Sequence, residues 1–186
     1  MSLLFTLTYI VWFLSEILLN RLLHSKSTDK QNADKNSLSL IWVTIVVTIS
    51  VAVFIAAKFH VSISLHASIQ YTGLVLIYVG IILRLFAVAS LGRFFTVDVT
   101  IRQGHKLKKD GIYKYVRHPS YFASLLSFIG FGLCLNNWIS LLLITIAIVA
   151  AFTFRIKIEE RILTEQFGEE YIDYKKSTRG LIPFIY

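Results

Sequence analysis

The sequence predicts an all-α, multi-pass membrane protein of about five transmembrane helices, the last two a helical hairpin, with a pocket at the cytoplasmic face. Three observations predict it. Hydrophobic residues make up 55% of the 186 and charged residues 16%, with a mean hydropathy of +0.65. A soluble domain of this length would expose too much apolar surface. Apolar runs recur at lengths that cross a roughly 30 Å hydrocarbon layer. Cations also alternate along the chain: four Lys and Arg in positions 21–37, one in 58–68, seven in 91–118, none at Asn136-Asn137 and six from Arg155 onward. High and low counts alternate as five spans require if the basic segments are cytoplasmic. That reading puts the N-terminus outside and the first loop, the 92–118 segment and the tail inside.

The elements follow in order. Residues Leu3 to Leu23 are apolar apart from scattered polar residues and Glu16, and no basic n-region precedes them, so they read as a retained span and not a signal peptide. A polar loop of residues 24–36 leads to a second span, Leu38 to Ala57, rich in Ile, Val and Thr. A short connection precedes the third span, Ile69 to Leu91, which carries Arg84. The largest polar stretch, 92–117, comes next. Tyr121 to Leu135 and Trp138 to Phe154 are apolar helices split by Asn136-Asn137. The first is short for a crossing, which makes the pair a tight hairpin. From Arg155 the chain turns amphipathic and then polar. Residues 1–91 thus hold three N-terminal helices, and 92–186 hold a loop, the hairpin and the tail of the same domain.

The net charge of +8 is accounted for by positive-inside loops, so nucleic acid is not an expected partner. Cys134, the single cysteine, reads as a packing residue at lipid depth, with no intrachain disulfide and no Cys-rich metal site. No Gly-x-Gly-x-x-Gly, phosphate-cradling Gly-Lys-Ser/Thr, Gly-x-Ser-x-Gly or His-Glu-x-x-His pattern is present, which leaves neither a soluble nucleotide fold nor a zinc site encoded.

Four constellations carry polar chemistry. Arg155 and Glu159 are four apart and share a helix face where the last span emerges. They read either as an interfacial ion pair or as an anion-binding arginine beside a carboxylate. Arg117-His118-Pro119-Ser120-Tyr121 reads as a helix start, with Pro119 suited to its first turn. Its alternative is a ligand site floored by free helix amides. The basic run His105-Lys106-Leu107-Lys108-Lys109 reads as a solvated loop near lipid headgroups. Glu16 and Arg84 lie inside apparent spans, where charge is costly, so they are expected to face the bundle interior in a structural role, possible partners of one another. Trp12, Phe13, Tyr78 and Phe86 read as packing or belt residues, with the lining of a lipid site as the alternative.

Taken together, His105-Lys106-Leu107-Lys108, Gly111-Ile112-Tyr113, Arg117-His118-Pro119-Ser120-Tyr121, Arg155-x3-Glu159-Glu160-x2-Leu163 and the tail Phe167-Gly168-Glu169-Glu170-Tyr171-Ile172-Asp173-Tyr174-Lys175-Lys176, closing near Pro183, resemble the isoprenylcysteine carboxyl methyltransferase family, over about half of the chain from Leu91 on. The resemblance implies S-adenosylmethionine as cofactor, with S-adenosylhomocysteine as its product, and no metal. It implies a cofactor site of His105, Lys106, Leu107, Lys108, Tyr113, His118, Pro119, Ser120, Tyr121 and Glu159. It implies Arg155 as the residue that holds a substrate carboxylate. The expected reaction is methyl transfer to the carboxylate of a lipophilic acceptor such as a prenylated cysteine. Alternatives are a phospholipid amine or a lipid-like phenol or enol as acceptor, and, from another class, a non-catalytic membrane scaffold or small transporter subunit. A carboxylate acceptor is ionised at neutral pH, so it needs orientation and partial desolvation more than a general base.

Overall fold

The computed structural model describes residues 3–22, 37–92, 95 and 107–181. They form six helices: α1 (Leu3–Leu22), α2 (Ser37–Lys58), α3 (Ser68–Leu91), α4 (Pro119–Cys134), α5 (Trp138–Phe167) and α6 (Glu169–Ser177), with a 3-10 turn at Gly111–Lys114 before α4. Among the described residues there is no strand, only an isolated parallel bridge between Val116 and Arg179. Helices α1, α2, α3 and α5 are long and apolar enough to cross a membrane. Helix α4, at 16 residues, rises only about 24 Å at ~1.5 Å per residue. It is the helix most enclosed by protein, with small and aromatic residues buried along its length.

One boundary departs from the expectation. The last apolar helix does not end at Phe154 but runs unbroken to Phe167. The residues after Phe154 are good helix formers (Arg, Lys, Glu, Ile, Leu) with no Pro or Gly among them, so a change of polarity does not interrupt the backbone. Gly168, with φ of 56°, ends the helix and starts α6. A residue with a Cβ adopts that backbone only at a cost.

Helices α3 and α4 pack antiparallel at close range. A Cβ on Gly73 would lie 2.5 Å from the Gly130 carbonyl oxygen, one on Gly130 2.6 Å from that of Gly73, and one on Gly80 2.6 Å from that of Ala123. Small residues allow this approach, and close van der Waals contact is what holds helices together in lipid. Cys134 packs in the same seam, and its thiol donates to the Gln70 carbonyl at 3.4 Å. Helix α2 packs on α5, and α1 on α3. The core between them joins Trp12, Ile41, Ile45, Leu74, Ile77, Phe128, Phe131, Ile144, Ile148 and Phe152.

One end of the bundle is tied by the two asparagines. Asn136 accepts from the amides of Ile63 and Ser64 at 3.2 and 3.0 Å and donates to the Ser64 carbonyl at 2.8 Å. Asn137 caps α5 by accepting from the Ser140 amide at 3.0 Å, and it donates to the Phe59 carbonyl. The two cation-poor connections therefore lie together. The opposite end gathers the C-terminal halves of α1, α3 and α5 with the starts of α2 and α4, and there the cavity forms.

Candidate functional site

A cavity opens at that end. It encloses about 1570 Å³ of empty space, its solvent-open mouth included. Of the residues expected to form a site, Leu107, Lys108, Tyr113, His118, Pro119, Ser120, Tyr121, Arg155 and Glu159 all line it. His105 and Lys106 lie outside the described residues.

Arg155 comes from the middle of α5 and is 1% exposed. It donates to the Ser37 hydroxyl at the start of α2. Tyr121, in the first turn of α4, stands within side-chain hydrogen-bonding reach of both Arg155 and Glu159. The two α5 residues thus share one face, with a phenol between them and helix α4.

His118 precedes α4, where Pro119 takes the first helical position. Consecutive residues of a helix point about 100° apart, so Glu159 and Glu160 diverge, and the imidazole sits in the angle between them. Its Nδ1 is 3.8 Å from a Glu159 oxygen and its Nε2 3.3 Å from Glu160. Glu160 turns away from the cavity and gathers cations: it accepts from Arg117 Nε at 2.8 Å and pairs with Lys175 at 2.7 Å.

The tail closes over this floor. Arg117 also donates to the carbonyls of Thr178 and Lys175 at 2.5 and 3.1 Å. Main-chain bonds run from the amides of Arg117 and His118 to the carbonyls of Arg179 and Gly180, and from the Arg179 amide to Tyr115. Tyr174 donates its hydroxyl to the Tyr113 carbonyl at 2.6 Å, and Tyr113 donates to Ala87 at the end of α3 at 3.2 Å. Lys109 pairs with Glu170 at 2.7 Å. Burial keeps these phenols protonated: it raises Tyr113 and Tyr171 above the ordinary tyrosine range and pushes Tyr174 up to about 12.

The inner half of the cavity is apolar except for one polar wall. Glu16 and Arg84 do pair, at 3.0 Å. Arg84 also donates to the Ser124 hydroxyl at 2.6 Å and to the hydroxyl and carbonyl of Ser120 at 3.0 and 3.1 Å. Around them stand Trp12, Phe13, Ile41, Trp42, Ile45, Phe128 and Phe152. Of the four aromatics considered for a lipid-facing wall, Trp12 and Phe13 line the cavity, Tyr78 is bonded to Thr8 at 3.0 Å and Phe86 is exposed.

Sequence reasoning missed the contribution of α2. Leu38, Ile41, Trp42 and Ile45 line the cavity at helical spacing, but their pattern is that of any apolar span. It also gave no site role to Ser37 and Asn20, and it quoted Tyr171 and Tyr174 only within the tail that carries the family resemblance. For the two tyrosines a further signal existed, since among the described helices α6 alone has acids in its first turn and lysines in its last, and their spacing of three puts both on one face.

Residues 69–170 match the phospholipid methyltransferase family model. Protein-S-isoprenylcysteine O-methyltransferase B of Arabidopsis thaliana is 36% identical over 140 residues, which cover 74% of this chain and 71% of that protein. The probable protein-S-isoprenylcysteine O-methyltransferase of Oryza sativa subsp. indica is 34% identical over 119 residues, which cover 63% and 62%. The Saccharomyces cerevisiae protein-S-isoprenylcysteine O-methyltransferase is 36% identical over 115 residues. The chain spans 62% of the rice relative's length and 48% of the yeast one's. The solved structure of the eukaryotic intramembrane Ras methyltransferase ICMT (isoprenylcysteine carboxyl methyltransferase) is similar with a TM-score of 0.65 at 30% identity, over 77% of this chain and 52% of that one. By the family model over residues 69–170, the 36% identity to a relative covered to 71% and the similar solved helical fold, this chain belongs to the isoprenylcysteine carboxyl methyltransferase family, within the phospholipid methyltransferases.

Proposed function

We propose that the chain transfers a methyl group from S-adenosylmethionine to the carboxylate of a lipophilic acceptor, with a prenylated cysteine as the acceptor class that its relatives' names carry. The observation that carries this reading is one continuous cavity, with Arg155, Glu159 and Tyr121 on its polar floor and an aromatic and aliphatic wall reaching into the bundle. Such a shape suits a ligand with an anionic head and an oily tail beside a polar co-substrate.

The residues fit the cofactor. Tyr171 lines the cavity from α6, is 1% exposed, and its buried hydroxyl has no partner among the described residues. A buried polar atom is seldom left unpaired, and a bound ligand or an ordered water would complete it. Glu159 is the carboxylate for the amino or hydroxyl groups of the cofactor. His118, Tyr113 and Lys108 stand around it. When bound, S-adenosylmethionine supplies a methyl group on a sulfonium centre. Arg155 orients the acceptor through a planar fork, fixed from behind by Ser37. Because the acceptor is already ionised, the arginine must position it more than neutralise it. A guanidinium that held the ground-state carboxylate too tightly would slow the step. The docked tail keeps water out. In this reading the site and the tail are cytoplasmic, the N-terminus is outside, and the acceptor's tail remains among the helices.

The test is direct. Membranes containing the chain are incubated with a radiolabelled methyl donor and the lipid and protein fractions are treated with mild base. Volatile label released as methanol from a methyl ester is expected. A base-stable label would point instead to an amine or a phenol or enol ether, and no label in protein that binds S-adenosylhomocysteine would end the carboxylate reading.

A further inference from the structure

We propose that the indole N–H of Trp12 determines acceptor specificity. It takes a hydrogen-bond-accepting heteroatom, a thioether sulfur or an ether oxygen, at the point where the acceptor's lipid tail leaves its head. The inference deepens the methyl-transfer reading above and rests on it.

Trp12 is 2% exposed and lines the cavity, yet its Nε1 has no partner among the described residues. Indole nitrogen is a donor only, and a donor buried in apolar surroundings without an acceptor costs free energy. The ring is not adjustable. It stands edge-on to Phe128 at 5.0 Å and tilted to Phe131 at 5.8 Å and Phe13 at 5.4 Å.

Position supplies the rest. Asn20, Glu16 and Trp12 are spaced by four and form one stripe of α1 along the cavity, each step from Asn20 to Trp12 about 6 Å deeper than the last. Glu16 is satisfied by Arg84, and Arg84 by Ser120 and Ser124. One helical turn further in, the buried indole N–H of Trp12 stands among Phe13, Ile41, Ile45 and Phe128, with Trp42 as the other indole of the described wall. Trp12 is also connected to the head-group end: Phe128 meets Phe152 at 6.3 Å, and Phe152 lies one turn before Arg155 on α5. A ligand whose head reaches Arg155 and whose tail follows the apolar wall passes Trp12 near the start of that tail. A pure hydrocarbon there would leave the N–H unpaired. In an S-alkylated cysteine the sulfur sits between the amino-acid head and the alkyl chain, which is the required place.

The test compares N-acetyl-S-farnesylcysteine with its isostere carrying CH2 in place of sulfur, as methyl acceptors for the detergent-purified chain. The readout is the ratio of kcat/KM for the two. Trp12→Phe keeps an aromatic ring against Phe128 and removes the donor. It is expected to lower that ratio by about three- to tenfold, the size of one modest hydrogen bond. An unchanged ratio would overturn the proposal. Should Trp12→Phe fail to fold, the indole 15N–1H resonance of Trp12 in the wild-type chain decides. It is expected to shift on adding a non-methylatable amide of the thioether compound and not on adding that of its isostere, and equal behaviour with both overturns the proposal. If neither compound is methylated although S-adenosylhomocysteine binds, the carboxylate reading fails and this inference fails with it.

Discussion

Arg155 and Glu159 share one helix face but divide the work between two ligands. Arg155→Ala is expected to abolish methyl transfer while S-adenosylhomocysteine still binds. Glu159→Ala is expected to weaken that binding by about ten- to a hundredfold, as for the loss of a charge-assisted bond of ~1.5–3 kcal/mol. Calorimetric titration of both variants checks the split, and equal loss of binding in the two would contradict it. The spacing that makes the pair neighbours was legible from the chain. That Ser37 supports the arginine, or that Tyr121 stands within reach of both, was not, because these placements join residues far apart in sequence. Glu16 and Arg84 were recognisable as charges inside spans, and their pairing is the cheapest resolution of that burial. Glu16→Leu leaves the guanidinium with hydroxyl and carbonyl partners only, and is expected to destabilise the fold by about 3 kcal/mol. Adding Arg84→Met should recover part of the loss, as thermal unfolding in detergent would report.

At the scale of elements, the α3–α4 seam depends on the absence of side chains. Gly80→Leu would force the helices apart where a Cβ already meets the Ala123 carbonyl at 2.6 Å. A cost of about 1–3 kcal/mol is expected from overpacking. Because Arg84 and Ser120 lie a turn away across the same seam, activity should fall together with thermal stability. The tail is a second such device. Tyr174 is raised by burial to about 12, so it is protonated in the folded chain over a range in which the unfolded phenol ionises. Its contribution is complete below pH ~10, the ordinary tyrosine value, and is lost as pH climbs towards 12. Trypsin cleavage at Lys175, Lys176 and Arg179 should therefore be pH-independent, once corrected for the enzyme, up to about 10 and rise above it. Tyr174→Phe should show faster cleavage at neutral pH. Hydropathy located the apolar helices but set the end of α5 at Phe154, where polarity changes. The backbone followed helix propensity to Gly168 instead, and this continuation carries Glu159 and Glu160 on a rigid element.

For the whole molecule, alternation of basic and neutral connections predicted which ends lie together. The asparagine ties between 59–64 and 136–137 are its structural counterpart. Cys134 is buried, so an introduced cysteine can report sidedness. A cysteine at His66 is expected to react with a membrane-impermeant maleimide on intact cells, and one at Lys176 only after permeabilisation. The reverse pattern would invert the proposed orientation.

By itself the sequence determined that the chain is built of apolar helices suited to a membrane, and which short motifs belong near one another. Hydropathy, charge bias and helical spacing are properties of local segments and need no partner. Only the tertiary structure decided that α1 and α2 close the cavity, that Glu160 faces away while Glu159 faces in, and that the Trp12 indole N–H has no partner among the described residues. In an apolar span every face looks alike to its neighbours in the chain. Which face meets protein, lipid or ligand is settled by packing among helices distant in sequence.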